Sequence, residues 1–272
     1  MPRNTAKHIK NLNVSIMTHI RVIAGKELRS YFMSPVAYVV IAMFLLIVGV
    51  LTYLAAIQAS TVAMQQMQVR GVVPALHVNE LVFRPVFGNL AIILLLLLPM
   101  LTMRLFAEER KMRTLELLMT SPITVTEMVL GKYLAAIVVF GVMVGLTGLT
   151  PLMLSFFTDI EWLPLGAAYF GLFLMGALFL SVGLFSSSLT ENQIIAVFVS
   201  FGILLLFWMV GWAAEALQGQ PIGQVLLYLS IVNHFDPFVN GLIDTRDVVY
   251  YLTSIVFWIF LTHRIVESQR WR

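Results

Sequence analysis

The residues best suited to chemistry are the histidines, and only one of the five has a carboxylate within two positions. His234-Phe235-Asp236 offers an imidazole and a carboxylate, the side chains that most often act as general acid and base. A catalytic metal would need three or four ligands, and the sequence contains no H-E-x-x-H pattern. Two interpretations stay open: an enzyme that uses His234 and Asp236, or an aromatic-rich hairpin in which His234 is structural, which we favour.

The sequence contains neither the phosphate-loop motif of nucleotide-binding proteins nor a cysteine for thiol chemistry. No G-x-x-x-x-G-K-[ST] occurs, because Gly25-Lys26 and Gly131-Lys132 lack the upstream glycine. We therefore expect no ATP binding through a phosphate loop and no cofactor in this chain. The absence of cysteine excludes disulfides and thiolate catalysis. The serines 186–188 stand where a helix should end, a place where hydroxyls commonly satisfy backbone groups.

These side chains must be positioned by membrane helices. Hydrophobic residues make up 60% of the chain and charged residues 11%, with a mean hydropathy of +0.91, whereas soluble domains have ~25% charged residues. Six apolar stretches have ionisable residues only near their ends, and each is about as long as a helix that crosses a bilayer. We predict an all-α membrane protein with six transmembrane helices, at about residues 36–57, 85–105, 130–156, 163–188, 192–214 and 247–264.

The distribution of lysine and arginine predicts the orientation. Fourteen of the 17 basic residues fall on the face that carries both termini, and only Arg70, Arg84 and Arg246 fall on the other. Because positive residues are retained inside, we expect both termini in the cytoplasm. The excess of Lys and Arg on this face is explained by the positive-inside rule, and a nucleic-acid partner is not needed to account for it.

The span interiors lack Asp, Glu, Lys and Arg, which argues against an ion gradient as the energy source. In the third stretch, Gly141-x-x-x-Gly145, with Gly148 and Pro151 further along, indicates a face suited to close helix packing or to a kink.

Two segments outside the spans have patterns of their own. Residues 1–34 predict a cytoplasmic leader with an amphipathic interfacial helix, with Lys26 and Arg29 on its polar face. Glu27 interrupts the apolar arc, either as an exposed edge charge or as the partner of an arginine in the next cytoplasmic loop. Residues 215–246 are too apolar for an exposed loop and too rich in Pro and Gly for a span, which indicates a re-entrant hairpin. Residues 266–272 would be a cytoplasmic tail.

The segment 106–127 predicts an amphipathic helix that continues the second span into the cytoplasm and stops at Pro122. Thr124 and Glu127 then form a T-x-x-E capping box that starts the third span. A short helix at such a turn has no core of its own. It either packs on this chain or docks into another subunit.

A series of short blocks follows a family pattern: Lys26-Glu27-Leu28, Glu108-Glu109-Arg110, Arg113-Thr114-Leu115-Glu116-Leu117-Leu118, Ser121-Pro122 and Gly131-Lys132. With these blocks the chain resembles the permease subunits of ABC-2-type exporters, whose transmembrane domain would cover residues 35–265. The tail is similar to the branch of gliding-motility permeases, through Leu229-Ser230, Asn233-His234-Phe235, Gly241-Leu242-Ile243-Asp244 and Tyr250-Tyr251.

The resemblance implies a non-catalytic subunit of the bacterial plasma membrane that exports substrate through a permease dimer, most simply a homodimer. Two copies of a separate ABC ATPase would bind ATP and Mg, with an auxiliary subunit as an option and membrane lipid around the complex. A scaffold subunit of a motility or secretion complex that transports nothing is the other alternative. The implied functional residues are Glu108, Glu109, Arg113, Glu116, Leu117, Leu118, Ser121 and Pro122 for ATPase coupling, Lys26, Glu27 and Arg29 in the interfacial helix, and His234, Phe235, Asp236, Gly241 and Asp244 in the hairpin.

Overall fold

The computed structural model describes residues 3–70, 78–116, 123–217 and 219–269, and every regular element in these ranges is helical. The predicted all-α class is therefore confirmed. A π-helical turn, Asn79–Phe83, precedes α3. The α-helices are α1 (Arg3–Met33), α2 (Pro35–Arg70), α3 (Arg84–Thr102), α4 (Arg104–Lys111), α5 (Val125–Thr147), α6 (Leu149–Leu154), α7 (Trp162–Leu189), α8 (Gln193–Ala216), α9 (Pro221–Leu229), α10 (Ile231–Val239) and α11 (Thr245–Gln269).

Six helical segments of the described chain are long and apolar enough to cross a membrane, which confirms the predicted number. The second combines the π-helical turn, α3 and α4, and the third combines α5 and α6. In chain order the spans are Ala37–Gln68, Asn79–Lys111, Val125–Leu154, Trp162–Leu189, Gln193–Ala216 and Thr245–Gln269.

The helix that contains the first span is longer than its apolar stretch. The apolar stretch ends near residue 57, whereas α2 continues to Arg70. Residues 58–70 are more polar, yet they include Ala, Met and Gln, which favour helix. The first helix-breaking residue in this region is Gly71. Hydropathy decides where a helix leaves the bilayer, whereas backbone preference decides where the helix stops.

The third span begins as predicted. The Thr124 hydroxyl accepts a hydrogen bond from the Glu127 amide at 3.3 Å, and the Glu127 carboxylate accepts one from the Thr124 amide at 2.8 Å. This reciprocal capping box satisfies two backbone donors that the first turn of a helix leaves free.

The fourth and second spans form the centre of the bundle. Their most apolar windows are 78% and 67% buried, against 22–33% for the other four spans. Glycines on α7 allow its neighbours to come close: a side chain at Gly176 would overlap the Phe140 ring, and one at Gly183 would overlap Thr102. Close packing at Gly141 and Gly145 is not found within the described part of this chain, because a Cβ added at Gly141 would make only ordinary contact and one at Gly145 would meet nothing within 4 Å. The helical run is instead interrupted at Gly148, between α5 and α6, as the alternative of a kink on this face predicts.

Candidate functional site

A buried lysine joins three helices at the end of the bundle where α1, α4 and the start of α5 meet, here called the terminal end. The Lys132 side chain is only 1% exposed. Its ammonium donates to Glu27 of α1 at 2.8 Å and to the Leu105 carbonyl of α4 at 2.7 Å, and it lies 2.8 Å from the Glu109 carboxylate. An ammonium has three hydrogens, so these three acceptors account for all of them.

The charges around Lys132 come close to balance. Glu27 and Glu109 are each 12% exposed, and Lys26 provides a second, more exposed cation 3.5 Å from Glu109. Glu27 is thus neither a free edge charge nor the partner of a loop arginine, since a lysine takes that place. We refer to Glu27, Glu109 and Lys132 as the lysine cluster.

Helix α1 is fixed to the bundle by further contacts. A side chain at Gly131 would overlap Ile23, so this glycine lets α1 lie directly on α5. The buried Tyr31 hydroxyl donates to the Leu101 carbonyl at 2.8 Å, and the Arg104 guanidinium lies over the Tyr31 ring at 4.7 Å. Burial raises the pKa of Tyr31, which keeps the phenol a neutral donor. His19 of α1 also lies 3.2 Å from Glu127.

A hydroxyl of α7 is inserted into the junction between α3 and α4. Ser187 Oγ accepts from the Phe106 and Ala107 amides at 3.0 and 3.1 Å and donates to the Met103 carbonyl at 2.8 Å. It replaces backbone bonds that the break at Met103 removes, which is a recognised cause of helix bending. The adjacent Ser188 carbonyl accepts from Arg110 and, at 3.3 Å, from Gln269. The predicted backbone role of these serines is therefore confirmed: the Ser186 and Ser188 hydroxyls donate to carbonyls of α7 itself, and only Ser187 serves a different helix.

The predicted coupling residues fall into three groups. Glu109 belongs to the lysine cluster, whereas Glu108 is half-buried on α4. Arg113 and Glu116 are exposed, and Arg113 has a φ of 56°, in the left-handed region that non-glycine residues seldom adopt. Leu117, Leu118, Ser121 and Pro122 lie outside the described residues. Arg29, on α1, is exposed.

At the opposite end, here called the hairpin end, α9 and α10 meet at Ser230 and are held by α11. His234 is 5% exposed. Its Nδ1 lies 2.6 Å from Asp247 Oδ1, and its Nε2 donates to the Tyr228 carbonyl at 3.0 Å. The Tyr250 ring stacks on the imidazole at 3.9 Å between centroids. Three segments separated in sequence thus meet at one imidazole.

Consecutive tyrosines of α11 bind the bend between α9 and α10. The Tyr250 hydroxyl donates to the Leu229 carbonyl at 2.8 Å, and the Tyr251 hydroxyl donates to the Ile231 carbonyl at 2.9 Å. Tyr250 and His234 thus satisfy the Leu229 and Tyr228 carbonyls, which the end of α9 leaves without helical partners. Tyr251 binds the first carbonyl of α10 instead. Ser230 caps α10 by accepting from the Asn233 amide at 3.4 Å.

The structure does not bring His234 and Asp236 together as a catalytic pair. The described hydrogen bonds of His234 go to Asp247 and Tyr228, while Asp236 lies on the exposed side of α10. Residues two apart on a helix point in different directions, which is the physical reason. Partial burial raises the pKa of Asp236, while the charge of Arg84 acts to lower it. Within the described ranges, no cluster of three His, Asp or Glu could hold a metal ion.

The other predicted hairpin residues have structural roles in packing, helix capping and a turn. Phe235 is buried, and Asp244 accepts from the Arg246 amide at 2.9 Å at the start of α11. Gly241 has a φ of 80°, and a side chain there would overlap Pro164. Glycine is therefore required at this turn for both its backbone conformation and its size.

Sequence reasoning missed the partners that matter most, Lys132, Ser187 and Asp247. Lys132 and Asp247 are charged residues at the margins of apolar stretches, a signal for a buried partner that could have been followed. Ser187 carries no comparable signal, because serines are common at helix ends.

The profile of the family described as ABC-2 family transporter protein matches residues 21–263. The chain belongs to this family. A comparison with curated proteins found no match. The matched segment of this ABC-2 permease includes both the lysine cluster and the His234 contacts, so the two sites belong to the family domain itself. Assignment to the gliding-motility branch stays a prediction.

Proposed function

We propose that this ABC-2 protein is the transmembrane subunit of an exporter in the bacterial plasma membrane, driven by a separate ABC ATPase. The observation that carries the proposal is the lysine cluster. It ties α4, which extends the second span, to α1 and α5 through a buried cation. A helix that continues a span and is bound to its neighbours can transmit a movement of the ATPase to the membrane helices.

The contacts of α4 with the neighbouring helices indicate how such a movement would reach the other spans. Movement of α4 passes directly to α3 through the junction at Ser187, and to α1 and α5 through the lysine cluster. The Ser188 carbonyl joins α4 to α7 and α11, through Arg110 and Gln269. The ends of several spans therefore move with α4, in the manner of rigid-body transitions between packed arrangements.

We place the ATPase contact at the corner that follows α4. Lys111, Met112, Arg113 and Glu116 are exposed there, and Leu115 turns back into the bundle. The segment that continues with Leu117 and Leu118 would dock into the ATPase. This assignment rests on the resemblance of the block and on the exposed corner that leads into it.

The permease would work as a dimer with cytoplasmic termini. The first and fifth spans bury only 28% and 22% of their apolar windows in this chain, which leaves surface for a second copy. Substrate would pass between the two subunits while two ATPase copies bind ATP and Mg at the terminal end. The cytoplasmic placement of that end rests on the excess of Lys and Arg.

The test is co-purification of the ATPase with the tagged chain from its native membrane. Leu117→Ala combined with Leu118→Ala should lower the amount of bound ATPase more than tenfold, because truncating one buried Leu costs ~2–5 kcal/mol and ~1.4 kcal/mol is one decade of affinity. The matched control is Leu149→Ala with Leu152→Ala, two exposed leucines of α6, which should retain the ATPase.

Two results would contradict the proposal. ATP hydrolysis by the purified chain alone would remove the non-catalytic assignment. Recovery of the intact chain with no ATPase, from cells that hold both proteins, would favour a scaffold subunit instead.

A further inference from the structure

A groove between α5 and α11 opens to the surface at the terminal end of the bundle. Its cavity volume is about 520 Å³. The walls are apolar and include Leu130 of α5 with Val256 and Phe260 of α11, and the rim carries Arg264 and Glu267. Val256 and Phe260 are 66% and 50% exposed, so the described chain leaves this wall uncovered. We call this feature the α5–α11 groove.

The rim of the groove lies where the sixth span reaches the lipid headgroups. Residues 248–262 contain no Asp, Glu, Lys, Arg or His, and His263 and Arg264 follow directly. The end of an uncharged stretch marks the boundary of the hydrocarbon layer, and long basic side chains extend from there to the headgroups. The apolar walls therefore face acyl chains, whereas the rim faces headgroups.

The apolar surface continues along α11 for about the depth of one leaflet. A second hollow, lined by Leu252 and Phe257, shares Val256 and Phe260 with the groove. From Leu252 to Arg264 the helix rises ~18 Å, whereas one leaflet of the hydrocarbon core is ~15 Å thick. The two hollows together can therefore follow the acyl chains of one phospholipid from its headgroup to the bilayer midplane.

The rim carries charges of both signs that are only loosely paired. The Arg264 guanidinium lies 3.4 Å from the Glu267 carboxylate, and the two side chains are 63% and 43% exposed. His263 Nδ1 lies 3.7 Å from the same carboxylate. Exposed pairs of this kind contribute little to stability, so either group can turn to a ligand at small cost. Arg264 also lies 5.1 Å from the centre of the Phe260 ring, which places the guanidinium beside the apolar wall.

We propose that the α5–α11 groove binds one phospholipid whose headgroup carries a primary ammonium, as in phosphatidylethanolamine. The phosphate would lie at Arg264, because a guanidinium matches phosphate oxygens. The ammonium would donate to Glu267, and the acyl chains would follow Val256 and Phe260.

The two signs of charge at the rim select this headgroup over others. A lipid with a phosphate and no cation would leave Glu267 facing a like charge, and a choline headgroup has no N–H to donate to the carboxylate. Recognition by two opposite charges also differs from the general attraction of anionic lipids to basic residues. The site depends only on this chain, so it does not rest on the proposed export function.

The experiment is a lipid competition followed by native mass spectrometry. The purified full-length chain in detergent is mixed with equal amounts of phosphatidylethanolamine and phosphatidylcholine that carry the same acyl chains. The measured quantity is the ratio of the two singly bound forms. We expect a preference of about two- to fivefold for phosphatidylethanolamine, the range for one partly exposed ionic contact. Phosphatidylglycerol in place of phosphatidylcholine should also lose the competition.

Substitutions at the rim and at the wall should act differently. Glu267→Met should bring the ratio to about 1, because the acceptor of the ammonium is removed. Val256→Trp should fill the groove and lower the binding of both lipids several-fold. Val249→Trp is the matched control, since Val249 is 49% exposed on the same helix and lies outside the lining of the groove. It should bind both lipids as the native chain does.

A ratio of 1 in the native chain would overturn the proposal, and so would a preference that Glu267→Met leaves unchanged. Preferred binding of phosphatidylglycerol would overturn it as well, because the rim would then select negative charge alone. Equal lipid binding by Val256→Trp and Val249→Trp would show that lipid binds elsewhere. Loss of ATPase co-purification would refute the exporter proposal and leave these lipid ratios untouched.

Discussion

Lys132 holds α1 and α4 against α5, because its ammonium is the shared partner of Glu27 and Glu109. With its ammonium present, Glu27 and Glu109 have a shared cation, and all three side chains are nearly buried. Without it, two carboxylates face each other in a site with little water. Breaking a buried ion pair from one side costs more than the pair is worth as a whole.

We predict that Lys132→Met destabilises the protein by about 3–5 kcal/mol, measured as a loss of thermal stability in detergent. Adding Glu27→Gln and Glu109→Gln to this variant should restore part of the loss, because the uncompensated charges are removed as well. Lys26→Met is the control: its side chain is 62% exposed, and its pair with Glu109 should contribute at most ~1 kcal/mol. Equal effects at Lys26 and Lys132 would show that burial of the cluster does not matter.

At the scale of elements, the fit of α1 against α5 decides whether the lysine cluster can form. Glu27 lies on α1, and α1 reaches α5 closely only because Gly131 has no side chain. This glycine precedes Lys132 in sequence, so the close contact and the cation are built into the same turn of α5.

Gly131→Ala should therefore destabilise the protein by about 1–3 kcal/mol through overpacking, and α1 should become more accessible to protease. Gly145→Ala, on the same helix with open space around it, should be neutral or stabilising by up to ~1 kcal/mol, because Ala favours helix more than Gly does. Opposite signs for the two substitutions are the expected result of the thermal measurement. The same sign and size at both positions would mean that α1 does not lie on α5.

The whole molecule has two ends with different charge, and this asymmetry predicts its orientation. A single cysteine at Gln66, near the end of α2, should react with a membrane-impermeant thiol reagent added to intact cells. A single cysteine at Ser268, near the end of α11, should not. Both positions are exposed in the structure, so accessibility differs only by the side of the membrane.

Inside-out vesicles supply the control for this experiment, because the labelling pattern should reverse in them. The native chain has no cysteine, so unsubstituted protein defines the background. Labelling of Ser268→Cys from outside intact cells would show that the termini are not cytoplasmic, and the ATPase site would have to move to the other end.

The sequence by itself determined the local features of this protein. Six spans follow from hydropathy over windows of about 20 residues, and the start of the third span follows from Thr124 and Glu127, three positions apart. Such features depend on neighbours in the chain, where spacing alone fixes geometry. The end of the helix that contains the first span is not set by hydropathy, since α2 continues through more polar residues to Arg70.

Only the tertiary structure decided which distant side chains meet. Lys132 and Glu27 are separated by 105 positions, and Ser187 and Phe106 by 81. These pairs depend on the rotation of each helix about its axis and on its height in the bundle, which an average hydropathy does not contain. His234 met Asp247 and not the nearer Asp236 for the same reason, since the face of a helix, and not distance along the chain, selects the partner.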